Sequence, residues 1–359
     1  MSDKLDALAT LGDIAEAARA QLDPDALEFL DSGSLDPTTM QANRAAFGRW
    51  LFRPRMLTGI GQPDLTTNFL GITLTMPVLV APFAGDTRYH PDGYLGVLNA
   101  CAEHGVFAVV PELASWTFED LARQVPNAAR IAQVSLLGTE DDFKRLARRI
   151  AGAGYAAVCA TVDTPVVGLR RRTHRPDPTS STYVPPVNFA PEFGIDAARY
   201  FAGAHTLRHD DWTWKQLGAA CAEVGIPFLV KGVLTPEDAR AAADAGAVAV
   251  YVSNHGGRQL DSAPATLDQL PKIVDEVGAN TPIAFDGGVR SGPDVVKALA
   301  LGASVVLIGR LAAYGLAVGG TAGVSRVLAL LRHEIETTMV LMGRPSAAAL
   351  EPGALDRAP

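Results

Sequence analysis

Residues 248–261 read VAVYVSNHGGRQLD, an apolar run followed directly by a polar run that contains two glycines. The apolar half has the length and the β-branched content of a buried strand. Glycines just past a strand bring the backbone close to a bound ligand. His255 can move a proton near neutral pH, and Arg258 can hold a carboxylate through two hydrogen bonds. The run therefore favours chemistry beside a carboxylate over its alternative, a satisfied loop histidine and a surface arginine.

An apolar run followed by a helical pattern recurs along the chain after Thr75. Helix start signals support the pattern, since Thr235 precedes Pro236 and Ser291 precedes a Gly-Pro pair. Eight such units predict an α/β fold, a (β/α)8 TIM barrel, whereas a flavodoxin-like open sheet has fewer repeats. The predicted strands are 78–81, 106–110, 130–134, 156–161, 228–230, 247–252, 283–285 and 305–308. The predicted helices are 93–103, 118–124, 140–151, 214–223, 236–245, 267–277, 291–301 and one from 312 onward.

The polar residues that follow the predicted strands test the barrel hypothesis. Functional groups of TIM barrels lie at the C-terminal ends of the strands, and seven of the eight runs are followed by a candidate. The exception is the second strand, which ends in Pro111-Glu112-Leu113. The seven candidates are Ala84, Gln133, Asp163, Lys231, His255, Asp286 and Arg310.

Two segments lie outside the strand–helix alternation. Residues 1–75 are predicted to be an N-terminal helical extension that caps the barrel bottom or flanks its mouth. Residues 171–213 contain several prolines and few apolar runs, which predicts a long lid loop after the fourth strand, with a disordered insertion as the alternative. The whole chain, 1–359, is interpreted as a single barrel domain.

Composition excludes several classes of protein. A net charge of −8 argues against a nucleic-acid partner or an anionic membrane surface. The N-terminal sequence has no apolar signal core, and the longest apolar stretch, 304–320, is interrupted by Arg310 and glycines. Cys101, Cys159 and Cys221 are far apart and lack metal-type spacing, so we expect buried free thiols, no metal and a cytoplasmic location.

The SNHGGRQLD run resembles the active-site signature of the FMN-dependent α-hydroxy-acid oxidase and dehydrogenase family, which includes glycolate oxidase, lactate oxidase and mandelate dehydrogenase. The resemblance extends from about residue 26 to about residue 342. It implies a TIM barrel, an FMN cofactor and the oxidation of a 2-hydroxy acid to the 2-oxo acid. The other matching motifs are RPR at 53–55, AP at 81–82, TVDTP at 161–165, VKG at 230–232, DGGVRSG at 286–292 and IGR at 308–310.

A phosphate site is predicted at the loops that follow the seventh and eighth strands. In barrels these two loops often bind a phosphate through backbone N–H groups, and Arg290 and Arg310 add charge. The resemblance assigns FMN to this site, with Asp286 on its ribityl chain. The predicted residues are Asp286, Gly287, Gly288, Arg290, Gly309 and Arg310.

The flavin ring is expected beside Lys231, since an ammonium at the end of a buried strand needs an anion. The resemblance places the N1–C2 carbonyl edge of the flavin there. It also matches Gln133 and Thr161 to ring-edge contacts and Ala84 to the backbone N–H near N5. Pro82, Phe83 and Ser253 complete the predicted cofactor residues.

The resemblance makes His255 the catalytic base and Asp163 the carboxylate that stabilises its imidazolium. The residues alone allow Asp163 to cap a turn instead. Arg258 and Arg170 would clamp the substrate carboxylate, although Arg171 and Arg172 lie next to Arg170 and the trio also suits a solvated charge run. Both the hydride and the carbanion route are compatible with these residues.

Four departures from the family pattern fall in the substrate pocket. Phe29 stands where relatives carry a tyrosine, and Ser135 replaces a second tyrosine. Leu113, in Pro111-Glu112-Leu113, stands where a Ser-Ser-Trp type of segment is usual, and Phe83 replaces a threonine. A less polar, larger pocket predicts a bulky or aromatic 2-hydroxy acid as substrate. Glu112 is left with two interpretations, a contact to a substrate amine or hydroxyl and a surface residue.

Two other functions stay open at this point. One is a different FMN-dependent oxidation or isomerisation, of a specialised metabolite or a peptide-derived group. The other is a flavin-binding protein without turnover, against which His255 and Asp163 argue. For the enzyme, oxygen or a soluble molecule is the expected electron acceptor, and family resemblance implies a homotetramer.

Overall fold

The computed structural model describes residues 5–136, 139–169, 187–188 and 212–359. At its centre, eight parallel strands form a closed barrel in which each strand pairs with the next one along the chain and the last pairs with the first. The open-sheet alternative is therefore wrong, and the TIM barrel is confirmed. The barrel strands are β4 (Val78–Val80), β5 (Phe107–Pro111), β6 (Arg130–Ser135), β7 (Val158–Thr161), β8 (Phe228–Val233), β9 (Ala249–Val252), β10 (Ile283–Phe285) and β11 (Val305–Ile308).

Alternation along each strand builds two apolar layers. On β5, Phe107 and Val109 pack inside the barrel, whereas Ala108 and Val110 pack against the surrounding helices. β8 extends three residues further than predicted, so Lys231 lies within it rather than after it. Gln133 likewise lies within β6, inside the range predicted for that strand. Their side chains therefore rise from rigid strands at the barrel mouth.

Helices surround the barrel where the sequence predicts them, with ends that differ by one or two residues. Thr235 and Ser291 are N-caps, and each side chain accepts a hydrogen bond from the backbone N–H three residues on. The predicted helices are α5 (Gly93–His104), α6 (Phe118–Gln124), α7 (Glu140–Gly152), α8 (Trp214–Val224), α9 (Pro236–Asp244), α10 (Thr266–Val277), α11 (Gly292–Ala300) and α12 (Arg310–Leu341). A short helix that was not predicted, α4 (Asp86–Tyr89), precedes them.

The N-terminal extension contains three helices, α1 (Leu11–Gln21), α2 (Pro24–Asp31) and α3 (Thr38–Gly48). The segment from α2 to α3 flanks the barrel mouth, because Ser34 N–H donates to the Gly257 carbonyl and Thr39 N–H donates to the Asp261 carboxylate. The extension is therefore part of the wall around the predicted site.

The extension also contains an unpredicted hairpin, β2 (Thr67–Phe69) and β3 (Ile72–Leu74). Phe69 and Leu74 are buried in the same apolar cluster as the inward residues of the barrel, among them Leu79 and Phe107. The hairpin closes the barrel at the end opposite the predicted site. The helices of residues 1–75 thus flank the mouth, as one of the two predicted placements has it, whereas a hairpin and not a helical cap lies at the bottom.

The last part of the chain returns to the first. Strand β1 (Trp50–Phe52) pairs antiparallel with β12 (Leu355–Arg357). Helix α12 is long and apolar enough to cross a membrane by length and composition, but 61% of its most apolar window is buried inside the protein. It also bends at Gly319 and Gly320 and packs against α1 and α5. These contacts make it a core helix of the fold.

The predicted lid, 171–213, lies almost entirely outside the described residues, as do Arg170, Arg171 and Arg172. Asn188 is described and fully buried. Its side chain accepts a hydrogen bond from Phe118 N–H and donates to the carbonyls of Trp116 and Glu112. This part of the segment after β7 is thus fixed to the loop that follows β5.

Candidate active site

A cavity of about 360 Å³ opens at the C-terminal ends of the barrel strands. Most of the residues predicted from the sequence line this cavity. They come from α2 and from the ends of every barrel strand except β7. The predicted residues on the wall are Phe29, Pro82, Phe83, Ala84, Leu113, Gln133, Ser135, Lys231, His255, Arg258, Asp286, Gly287, Gly288, Arg290, Gly309 and Arg310, together with Glu112. Asp163, Thr161 and Ser253 contact wall residues from behind.

His255 lies on the loop after β9 with a backbone φ of 58°, in the left-handed region that residues other than glycine rarely adopt. Its Nδ1 is 3.1 Å and 3.2 Å from the two carboxylate oxygens of Asp163. A carboxylate accepts hydrogen bonds, so the Nδ1 proton donates to Asp163 and Nε2 carries the lone pair. The ring is thus oriented as a base.

The charges around this pair favour a neutral imidazole and an ionised carboxylate. Burial lowers the pKa of His255 below 6.5, and Lys231 lowers it further, against the opposing effect of Asp163. Burial alone would raise the pKa of Asp163, but Lys231 and His255 hold it at about 2. His255 is therefore ready to accept a proton at neutral pH.

Lys231 is buried in β8, with Nζ 3.1 Å from Nδ1 of His255. Because that ring nitrogen donates to Asp163, the lysine contributes positive charge rather than a second hydrogen bond. On the neighbouring strands, the Gln133 amide donates to the Thr161 hydroxyl over 3.0 Å. Lys231 and Gln133 thus supply donors at the floor of the cavity, with Thr161 behind Gln133, which suits the polar edge of a flavin.

The loop after β10 has the form of a cradle. Gly287 and Gly288 have φ of 115° and 83°, and a Cβ on either would lie within 3 Å of Thr266 or Asn43. Only glycine fits there. Asp286 is buried beside them and accepts hydrogen bonds from Tyr251 and Ser253. The backbone can therefore approach a ligand closely.

Three arginines converge beside this cradle. Burial lowers the pKa of Arg290 to about 10, with help from Arg310. Burial also lowers the pKa of Arg310 to about 10, and its neighbour Arg258 lowers it further. Cations that destabilise one another in a cavity indicate an anion site. The residues present therefore fit the phosphate of FMN.

The guanidinium groups of Arg258 and Arg310 also bind the C-terminal end of α2. Arg258 donates to the carbonyls of Phe29 and Ser32, and Arg310 donates to those of Leu30, Ser32 and Gly256. The Arg258 guanidinium lies 5.0 Å from the Phe29 ring centroid. Both arginines are thus held at the cavity wall, where positive charge also complements the helix C-terminus.

Glu112 is buried in the wall, which contradicts its interpretation as a surface residue. Its carboxylate accepts a hydrogen bond of 2.8 Å from Ser135 N–H. Burial raises its pKa to about 7, against the opposing effects of Ser135 and Gln133. No sequence pattern indicates this burial, because the position follows the strand in a Pro-Glu-Leu segment with no motif.

Sequence reasoning missed two further wall residues. The Gln259 amide donates to the Asp163 and Val166 carbonyls and accepts from Gly168 N–H, which joins the loops after β7 and β9. Tyr89 lines the cavity next to Phe83, and burial raises its pKa to about 12. Gln259 belongs to the SNHGGRQLD run, so its place in that run was the available signal.

Comparisons with known proteins agree with this geometry. The profile of FMN-dependent dehydrogenases matches residues 18–357. Glycolate oxidase 1 of Zea mays is 40% identical over 345 residues, 92% of this chain and 91% of that protein. L-lactate oxidase of Nostoc sp. is 39% identical over 91% of this chain and 92% of its own length. A structure of mandelate oxidase with (S)-4-hydroxymandelic acid superposes with a TM-score of 0.88 at 35% identity, covering 98% and 99% of the two chains.

Proposed function

Because the chain belongs to the FMN-dependent dehydrogenase family and is an FMN-dependent 2-hydroxy-acid oxidase or dehydrogenase, we propose that its own substrate is a 2-hydroxy acid with a bulky or aromatic side chain. The enzyme converts this acid to the 2-oxo acid. The observation that carries the proposal is the composition of the cavity wall, where apolar and small side chains face the charged machinery.

The cofactor would be held by the elements described above. Arg290 and the glycine cradle suit its phosphate, Asp286 its ribityl chain, and Lys231 with Gln133 the polar edge of its ring. When bound, FMN supplies a two-electron acceptor at the cavity floor. Since these residues come from β6, β8 and β10, the barrel itself sets the position of the ring.

His255 removes a proton from the CH–OH group of the substrate. Its Nε2 lone pair is available because Nδ1–H donates to Asp163. As the imidazole gains charge, the Asp163 carboxylate stabilises it, as in other carboxylate–histidine pairs. The strained backbone at His255 fixes the ring relative to the cavity floor.

Arg258 is proposed to bind the substrate carboxylate. It lies three residues after the base on the same loop, so the acid group and the reacting carbon are held together. Arg170 is proposed as the second clamp residue, but it lies outside the described residues. An Arg258→Lys variant keeps the charge and loses the planar fork, so it should recover only part of the activity.

The side chain of the substrate would pack against Phe29 and Leu113. Both residues line the same cavity as Ser135. Phe29 offers no hydroxyl to a small acid, and the Ser135 side chain is short. The mandelate oxidase structure with an aryl hydroxy acid supports this choice, since its fold superposes closely.

A substrate series tests the proposal. Anaerobic stopped-flow measurement of flavin bleaching would compare glycolate, lactate, longer 2-hydroxy acids and mandelate. We expect an aryl or long-chain acid to have at least a tenfold higher rate constant, the factor that two lost hydrogen bonds of about 0.7 kcal/mol each give for the small acids. The double variant Phe29→Tyr, Ser135→Tyr should narrow that gap. Glycolate or lactate as the best substrate would overturn the proposal.

The remaining expectations stay predictions. They are oxygen or a soluble molecule as electron acceptor, a homotetramer and a cytoplasmic location. Oxygen consumption during turnover and the mass of the protein in solution measure the first two.

A further inference from the structure

We infer that Glu112 is a second recognition point of the active site, which selects 2-hydroxy acids whose side chain ends in a cationic nitrogen. The inference rests on the proposed function and deepens it, since it names the far end of the bulky side chain. It starts from a buried carboxyl group that the oxidation of the CH–OH group does not use.

Among the described residues, the partners of the Glu112 carboxyl include no cation. Within the described part of the chain, the groups that bind or influence its carboxyl are neutral, namely Ser135 and Gln133 on β6. Its backbone is fixed as well, because Glu112 N–H donates to the Gln133 carbonyl and Asn188 donates to the Glu112 carbonyl. The carboxyl is thus held at the wall, and no positive side chain of the described residues binds it.

A second buried carboxylate provides the contrast. Asp86 is also 1% exposed, but Tyr94 N–H, Ser115 N–H and the Ser115 hydroxyl donate to its two oxygens. Asp86 does not line the cavity and its donors tie two loops together, so it is structural. Glu112 lines the cavity, which makes its carboxyl accessible to a ligand there.

The strand order places Glu112 opposite the loop that contains Arg258. In the closed barrel, β5 lies four strands from β9 in either direction, directly across the mouth. The cations Lys231, Arg258, Arg290 and Arg310 follow or belong to β8, β9, β10 and β11. A substrate whose carboxylate binds Arg258 therefore directs its far end across the cavity, towards the Glu112 side.

A cationic nitrogen is the end group that this wall suits best. The fold already keeps the Glu112 carboxyl away from water, so a substrate ammonium would find a preorganised partner and form a charge-assisted hydrogen bond. A neutral alkyl end would leave the carboxyl as it is. The site would thus bind the substrate carboxylate through Arg258 at one side and the cationic nitrogen through Glu112 at the other.

The test uses pairs of 2-hydroxy acids that differ by one charged group. One pair is 6-amino-2-hydroxyhexanoate and 2-hydroxyheptanoate, and the other is 4-(aminomethyl)mandelate and 4-ethylmandelate. In the holoenzyme, the ammonium member of each pair should show at least a tenfold higher kcat/KM for flavin reduction. Glu112→Gln should remove that preference, and Glu112→Asp should keep part of it.

A matched control is Glu119→Gln, which also removes one carboxylate near this loop. Glu119 is half-exposed, pairs with Arg149 and does not line the cavity, so the preference should survive. FMN content, read from absorbance, shows whether each variant has kept its fold. Equal kcat/KM within both pairs for the wild type, or a preference that Glu112→Gln retains, would overturn the inference.

A binding measurement separates this inference from the proposed function. The change in flavin absorbance on titration with each probe gives a Kd whether or not the probe is oxidised. If no probe bleaches the flavin, the proposed substrate class fails. Even then, tighter binding of the ammonium member that is lost in Glu112→Gln would support the role of Glu112, and equal binding would refute it.

Discussion

His255 is the proposed catalytic base, with a strained backbone and the Asp163 carboxylate as its partner. Replacing it with Ala removes the proton acceptor but leaves the cradle and Lys231 in place. We expect bound FMN to remain and flavin reduction by substrate to slow by about 10²–10⁴-fold, the usual contribution of a positioned base. Stopped-flow bleaching of His255→Ala measures the loss, with FMN absorbance as the control. Reduction at the wild-type rate would assign the base elsewhere.

The same residue sets the acid limit of activity. Its pKa lies below 6.5 because burial and Lys231 disfavour the charged ring. Only the neutral ring accepts a proton, so activity is lost as the pH falls through that pKa. We expect kcat/KM to decline as the pH falls through this lowered pKa, with the midpoint of the decline below pH 6.5. A decline centred above pH 6.5 would contradict this account.

The raised pKa of Glu112 leads to a separate prediction about the stability of the protein. Its pKa is about 7 in the folded protein against 4.5 ordinarily. Between these values the folded carboxyl keeps a proton that the unfolded one has lost, so its contribution to stability falls as the pH rises. At about 1.4 kcal/mol per pKa unit, Glu112→Gln should stabilise the protein by about 3 kcal/mol at pH 8 and by little at pH 4.5.

Thermal unfolding of the holoprotein at both pH values measures this difference. Glu119→Gln is again the matched control, because the pKa of Glu119 is lowered: burial raises it, but Arg149 and a backbone hydrogen bond together outweigh burial. That variant should give no stabilisation at pH 8. An equal melting temperature for wild type and Glu112→Gln at pH 8 would show that the Glu112 carboxyl is not strained by burial.

At the residue scale, the sequence predicted what short motifs encode and missed what depends on distant contacts. His255, Lys231 and the glycines of the cradle lie in recognisable local patterns and line one cavity. The burial of Glu112 comes instead from β6 and from Asn188, 76 residues away along the chain. The carbonyl contacts of Arg310 with α2 likewise join residues about 280 positions apart.

At the scale of elements, the β2–β3 hairpin closes the barrel and is the clearest place to test packing. Phe69 is 1% exposed inside the apolar cluster of the barrel. Phe69→Ala should lower the free energy of unfolding by about 3–5 kcal/mol, since the barrel interior can relax only in part around the void that the missing ring leaves. Denaturant unfolding followed by circular dichroism gives the value.

Thr73→Ala is the control for this prediction, because Thr73 lies on the exposed face of the same hairpin. It should change stability by about 0.5 kcal/mol or less. If both variants behaved alike, the hairpin would not support the barrel. The sequence did not predict this element because two strands of three residues are too short for alternation to show, whereas the eight barrel strands carry long apolar runs.

For the whole molecule, the uneven distribution of charge predicts that bound FMN stabilises the fold. At one side of the mouth, burial and Arg310 lower the pKa of Arg290, and burial and Arg258 lower that of Arg310. Removing FMN should therefore lower the Tm, and inorganic phosphate should restore part of it to the apoprotein. Chloride at the same ionic strength is the control for screening, and Arg290→Met should weaken the phosphate effect.

The pairing of β1 with β12 has a consequence for how the chain matures on the ribosome. Phe52 and Leu355, partners in this ladder, are made at widely separated times, since synthesis at about 5–20 residues per second needs roughly 15–60 s to cover the interval. Throughout that time the emerging chain carries an unpaired strand edge. Nascent chains stalled before Leu355 should accordingly be cut by protease near Trp50, and full-length chains should resist.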